Sequence, residues 1–342
     1  MKIALILVFF MLISLVTLFS IGRQTLFERQ LIFWLAGWLI FFSSYWISYK
    51  NVFRRPYFGL VLAIVIILLV GVFFLPSHFR SGLKRGLGSF QPSEFGRIGL
   101  LLILSVFLAK FSSRLSQDRY LLLSFVLVLP LILLILLEPD FGTALIYFLT
   151  WFFSVIGFMS KKQFFRWGLI LILIFIIGWL FVFKPYQKER VLTLFSSNKD
   201  ALGSGYNLRQ LKITIGSAGI FGRGLGGGTE ARLGFLPSSQ TDFILDSFVE
   251  EWGLVGFVFF LFLVFLFLRT IYVESRFAAD PLAKSFAFLL VVQFGLRFVL
   301  MTAVDVGLFP IMGVPVPFLS YGGSYLISDF ILLAIWRSFQ TA

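Results

Sequence analysis

Long, uninterrupted apolar runs separated by short polar intervals make up most of this chain. Runs long enough to cross a bilayer fall at about 3–21, 31–48, 57–75, 95–111, 120–137, 141–158, 167–183, 243–268, 282–301 and 319–336. They are continuous rather than alternating, and lipid obliges each spanning element to pair its own backbone polar groups. The pattern therefore predicts helices and not barrel strands. The expected fold is an all-α polytopic membrane protein of about ten transmembrane helices. One polar interval, 184–242, is far longer than the others and predicts a single long extracytoplasmic loop within one integral membrane domain covering 1–342.

Composition narrows this further. Hydrophobic residues make up 59% of the chain and charged ones 13%, which excludes both an ordinary soluble domain and a disordered one. Lys and Arg set the orientation: Lys2, Lys50, Arg54, Arg55, Lys110, Arg114, Arg119, Lys161, Lys162, Arg166, Arg269, Arg276 and Arg337 fall on one side if the N-terminus is inside. The short loops of the other side hold only Arg23, Arg29, Arg80, Lys84 and Arg85. Both termini are thus expected to be cytoplasmic. The first run follows one Lys and lacks a small-residue cleavage site, so it reads as a retained helix. With no cysteine, the long loop must be ordered by packing alone. Inner-loop topology and anionic lipid account for most of the formal charge of +13, and nucleic acid is not needed to explain it. Positive charge on the outer side calls for an acidic ligand there.

Candidate chemistry concentrates at Tyr206–Gly256. The glycines Gly222, Gly224, Gly226, Gly227 and Gly228 precede Asp242, Asp246 and Glu250, which a continuous helix would place on one face at i, i+4 and i+8. The glycine run is no nucleotide loop, since no G-x-x-x-x-G-K-[ST] order and no preceding strand occur. A structured loop on the outer face is expected, because Ile213, Ile215, Ile220, Phe221, Leu225, Leu233 and Phe235 would otherwise be exposed. Helical periodicity over 206–221 sets Arg209 and Lys212 one turn apart. Asp242 either caps the helix that follows or serves as a base.

Upstream, the interval before 95–111 carries Arg80, Lys84 and Arg85, and then Gln91-Pro92-Ser93-Glu94, which reads as a helix start with Ser93 as cap. Glu94 and Arg97 either pair with each other or contact a ligand. In Glu138-Pro139-Asp140, Asp140 reads as a cap for the next helix or as a site residue, and Glu138 has the wrong sign for the helix end it occupies. Lys184, Lys188 and Arg190 bind lipid headgroups or add to a phosphate-binding surface. Arg297 and Asp305 lie about 12 Å apart along a helix, so each needs its own partner. Pro310, Pro315 and Pro317 forbid a regular helix and predict a segment that lines a cavity or is covered by protein. The lone His78 reads as loop surface.

Six stretches in order, QPSE at 91–94, EPDFGTA at 138–144, IGSAGIFGRGLGGGT at 215–229, LGFLPSSQTDFI at 233–244, EEWG at 250–253 and PxxGVPVPFLSYGGS at 310–324, resemble the SEDS family (shape, elongation, division and sporulation), the group of RodA and FtsW. The likeness runs from about 76 to 336. The chain departs from the family in lacking an Arg-Trp pair before QPSE, and in having Arg297, Met301 and Asp305 where Gln and Asn are usual. The resemblance implies a GT-C-like fold and a peptidoglycan glycosyltransferase that polymerises lipid II, an undecaprenyl-diphosphate-linked disaccharide peptide, outside the bacterial cytoplasmic membrane. It also implies a class B penicillin-binding transpeptidase as partner, a catalytic aspartate at Asp242, and sites at Glu94, Glu138 and Asp140; Arg97, Glu250 and Ser320 are further substrate-binding candidates. Such transfer needs a base for the acceptor hydroxyl and cations for the departing diphosphate, for which Arg80, Lys84, Arg85, Arg209 and Lys212 are the candidates. No cofactor is required by the sequence, and a divalent cation, magnesium or manganese, is compatible with the outer carboxylates. The rival readings are a lipid II flippase and a noncatalytic scaffold of a cell-wall synthase.

Overall fold

The computed structural model describes residues 2–46, 48, 51, 53, 57–74, 91–111, 115–138, 140–195 and 204–340. Each of the ten apolar runs carries a helix. They are α1 Lys2–Ser20, α2 Gln24–Ser43, α3 Tyr57–Gly71, α4 Pro92–Phe111, α5 Gln117–Leu137, α6 Phe141–Val155, α7 Lys161–Ile177, α11 Ile244–Arg276, α12 Pro281–Asp305 and α13 Gly323–Ser338. Between α7 and α11 stand three shorter helices, α8 Pro185–Phe195, α9 Ser204–Ala218 and α10 Thr229–Arg232. No strand occurs among the described residues. The bundle is therefore that of a multi-pass membrane protein. Seven helices, counting α3 and α6 with the short turns that extend them, are long and apolar enough to cross a bilayer. Of the other three, α4 is enclosed by its neighbours and buries most of its positions, while α7 and α13 are shorter, at 17 and 16 residues. The expected long loop thus contains three helices, with α9 close to where periodicity placed one.

The core is aromatic. Phe318 stands in the left-handed region at φ 62°, a conformation that costs a non-glycine residue about 1–2 kcal/mol. Its ring is held 5.3 Å from Phe267 and 5.4 Å from Phe294, and stacks 5.8 Å from Phe10. Packing fixes the bend, and with it the proline-broken segment 306–322 between α12 and α13. Polar side chains inside the bundle also hold this segment. The Ser14 hydroxyl donates to the Leu319 carbonyl at 2.7 Å, Gln30 Nε2 donates to the Ser320 carbonyl at 3.1 Å, and Gly322 N–H donates to Gln30 Oε1 at 3.2 Å. The prolines do what the sequence predicted: irregular backbone at this depth is covered by protein and paired by side chains.

Candidate active site at one end of the bundle

Three connections meet at one end of the bundle: the start of α4, the α5–α6 turn and segment 306–322. Gln91 joins them. Its N–H donates to Ser324 Oγ at 2.8 Å and its side-chain amide to Asp140 Oδ2 at 3.2 Å and Ser93 Oγ at 3.0 Å, while Tyr325 OH donates to its amide oxygen. Asp140 caps α6, with Oδ1 accepting from Thr143 N–H at 3.2 Å and Oδ2 from the Thr143 hydroxyl at 2.9 Å. Glu138 closes α5 and is buried. The helix start differs from expectation: α4 begins at Pro92, Ser93 lies within its first turn, and the Ser93 carbonyl accepts from Tyr147 OH at 2.5 Å.

Below this, Glu94 pairs with Arg97, whose guanidinium also donates to Asp329 Oδ1 at 2.8 Å and Ser328 Oγ at 2.6 Å. Arg297 donates to the same Asp329 oxygen at 2.8 Å and to the Pro315 carbonyl at 3.2 Å. All four charged groups are buried, and they form a neutral set of two acids and two bases, which is how charge survives at membrane depth. Arg297 therefore finds its own partner, as its distance from Asp305 required. Asp329 itself was missed by sequence reasoning, although an acid inside the apolar run 319–336 was the signal.

The glycine run has a mechanical role. α11 is broken at Gly253 (φ 66°), and the loop wraps this break. Leu254 N–H donates to the Gly219 carbonyl at 3.1 Å, Arg223 N–H to that of Glu250 at 3.0 Å and Gly224 N–H to that of Glu251 at 3.0 Å. The Glu250 carboxylate accepts from Glu230 N–H at 3.0 Å and Ala231 N–H at 3.3 Å, capping α10. Glu251 accepts from Gly226 N–H at 3.1 Å and Ser20 Oγ at 2.8 Å. The loop is ordered, as expected, but its apolar side chains are not covered: Ile213, Ile220, Phe221, Leu225, Leu233 and Phe235 are all exposed.

Asp242, Asp246 and Glu250 do not share a helix face. α11 starts at Ile244 with Phe243, not Asp242, in the cap position. A turn opened by Ser238 (φ 53°) accepts Thr241 N–H at 3.0 Å and Phe243 N–H at 3.3 Å, and throws Asp242 out of helical register. The half-buried Asp242 side chain is aimed across at Gly313, where a side chain would begin 3.6 Å from Asp242 Oδ2. The buried Ser320 holds this arrangement, its hydroxyl donating to the Thr241 carbonyl.

Basic groups reach the same segment. Arg190, exposed on α8, donates to the Ile311 carbonyl at 3.4 Å. Lys212, exposed on α9, lies over Gly307, its Cε 3.5 Å from where a β-carbon would stand. Arg209 is half-buried one turn earlier on α9. Arg80, Lys84 and Arg85, like His78, lie outside the described residues. The structure thus gathers Gln91, Asp140, Asp242, Ser320, Arg190 and Lys212 around segment 306–322. It sets Glu250 with the glycine loop, and Glu94 and Arg97 in the buried ion set.

A helical membrane bundle with a carboxylate and several cations meeting at one end defines the class. Comparison with known proteins defines the family. The FtsW/RodA/SpoVE model, described as cell cycle protein, matches residues 1–341. Peptidoglycan glycosyltransferase MrdB of Escherichia coli K12 is 34% identical over 80% of this chain and 74% of its own length. Probable peptidoglycan glycosyltransferase FtsW of Wigglesworthia glossinidia brevipalpis is 30% identical over 90% and 82%. Among solved structures, a chain described under the structural coordination of polymerization and crosslinking by a peptidoglycan synthase complex superposes with TM-score 0.78 at 25% identity, over 98% of this chain and 97% of that one. The rod shape determining protein RodA of Thermus thermophilus shares the fold, with TM-score 0.66 at 22% identity over 98% and 94%. The chain belongs to the FtsW/RodA/SpoVE family, the SEDS family that its motifs resemble.

Proposed function

We propose that this protein is a peptidoglycan glycosyltransferase that polymerises lipid II at the outer face of the cytoplasmic membrane, in cell elongation or division. One observation carries the reading: the Asp242 carboxylate stands half-buried against Gly313, on the segment that Arg190 and Lys212 also approach. In this reaction Asp242 takes the proton from the GlcNAc hydroxyl of one lipid II as that oxygen attacks the MurNAc anomeric carbon of another. The bond from that carbon to the diphosphate breaks, and the undecaprenyl diphosphate leaves with the electron pair. Arg209, Lys212 and Arg190, with Arg80, Lys84 and Arg85 of the 76–97 interval, hold the charge that develops on it. Ser320 and the Gln91–Asp140 link keep the acceptor side rigid; Glu94 and Arg97 support it from below, and Glu138 and Glu250 shape the connections around it.

The names of the relatives support this activity, and the complex among the structural neighbours supports a class B penicillin-binding transpeptidase as partner. The distribution of Lys and Arg supports cytoplasmic termini. No three His, Cys, Asp or Glu side chains come together to hold a metal ion among the described residues. Asp140, Glu250 and Glu251 each accept from backbone or side-chain donors. No step above runs through a metal.

The test is polymerisation of purified lipid II in detergent. The wild type should yield glycan strands without a membrane, which neither a flippase nor a scaffold would do. Asp242→Asn should keep the wild-type melting temperature and yield none; a variant that still polymerises would exclude Asp242 as the base.

A further inference from the structure

Apart from the Asp242 segment, α9, α11 and the end of α12 enclose a cavity of about 370 Å³. Its walls are apolar, formed by Ile215, Leu245, Val249 and Phe257, and it opens past the exposed Gly216, Leu254 and Val306. Two acids from different helices line it, Asp246 of α11 and Asp305 of α12. Both are buried, at 1% and 3% exposure, and apart from each other and the Asp246 backbone N–H their carboxyl oxygens find no hydrogen-bond partner among the described residues. The carboxyl groups lie within hydrogen-bond reach of each other, and no Lys or Arg forms an ion pair with either among the described residues. Nothing in the proposed reaction uses them.

Two adjacent carboxyls in an apolar wall cannot both be charged unless a cation joins them. The cavity has the volume of a small-molecule site, many times that of a bare ion. No third His, Cys, Asp or Glu side chain joins the two acids to hold a metal among the described residues, whereas a divalent ion seeks about six oxygens. An organic cation meets both demands: its charged head bonds the two carboxyls, its aliphatic body fills the apolar remainder, and the Phe257 ring adds an aromatic surface for the charge.

We infer that this cavity is a binding site for a primary ammonium group on an apolar body, held by Asp246 and Asp305. The amine is carried either by a phospholipid headgroup or by a soluble or peptide-borne molecule. This does not rest on the glycosyltransferase reading, and binding is measured without turnover, so the two fail separately.

The test follows thermal unfolding of the full-length protein in phosphatidylglycerol nanodiscs titrated with hexylammonium, hexanol or magnesium at matched ionic strength. Hexylammonium should raise the melting temperature saturably while hexanol and magnesium do not. The Asp246→Asn/Asp305→Asn double variant should weaken the response by about tenfold or more, as loss of a charge-assisted hydrogen bond does. The comparison of amine with alcohol is made on the wild type and holds even if the variant folds poorly. Equal response to alcohol and amine, a saturable response to magnesium alone, or no response would each overturn the site: as merely apolar, as a metal site, or as an acid pair sharing one proton. Adding phosphatidylethanolamine to the nanodiscs separates the sources. A raised melting temperature with a blunted hexylammonium titration assigns the lipid headgroup, and an unchanged titration assigns the soluble or peptide-borne amine.

Discussion

The Ser320 hydroxyl donates to the Thr241 carbonyl at 2.7 Å, so a residue 79 positions away along the chain fixes the backbone just before Asp242. The same oxygen accepts from Val316 N–H at 2.9 Å, and Tyr321 N–H donates to the Gln240 carbonyl at 3.0 Å. Ser320→Ala strands a buried N–H and loosens the link, which costs about 1–3 kcal/mol in stability. A shift of about 1 Å at the base is enough to slow chemistry by roughly 100-fold. We expect kcat for lipid II polymerisation to fall by at least about tenfold with KM little changed, and Ser320→Thr to restore part of it. A rise in KM at constant kcat would instead place Ser320 on the substrate.

Removing the shared carboxylate of the buried ion set has a different signature. Asp329→Asn leaves Arg97 and Arg297 with only Glu94 for charge balance, and an uncompensated buried charge costs about 3–5 kcal/mol. Thermal unfolding in detergent should show a large loss. Adding Arg297→Gln removes the surplus cation, so the double variant should be more stable than Asp329→Asn alone. Additive losses in that cycle would mean that the two residues do not act as a pair.

The sequence was readable where the membrane imposes a one-dimensional rule. The apolar runs were continuous, so a helix was visible at each of the ten, seven of them long and apolar enough to cross a bilayer, and α9 showed in its 3.6-residue period. The capping role of Asp140 followed from its place before Phe141. What periodicity could not show was pairing across the fold. Asp329 serves Arg97 and Arg297, which lie far apart in sequence. Nor could it show that a turn at Ser238 would push Asp242 off the face of α11, because a positive φ at a serine has no pattern of its own. The exposed Phe221 and Leu233 ran against the expectation of coverage for the same reason: solvent exposure of a loop depends on what it docks against, and this one docks through its backbone.

That backbone docking predicts an unusual sensitivity to a single methyl group. At Gly253 the left-handed backbone (φ 66°) already disfavours any side chain, and a β-carbon there would stand 2.3 Å from Gly222 N and 2.5 Å from the Ile220 carbonyl oxygen. Neither atom belongs to a flexible side chain, so the loop must move away and give up its hydrogen bonds to the Glu250, Glu251 and Leu254 backbone. Gly253→Ala should therefore make 219–228 the first site cut in limited proteolysis and lower the melting temperature. Gly216→Ala, at a helical glycine of α9 where a methyl group meets nothing within 4 Å, should leave the cleavage pattern unchanged. If Gly253→Ala proves as resistant as the wild type, the break in α11 is not what holds the glycine loop.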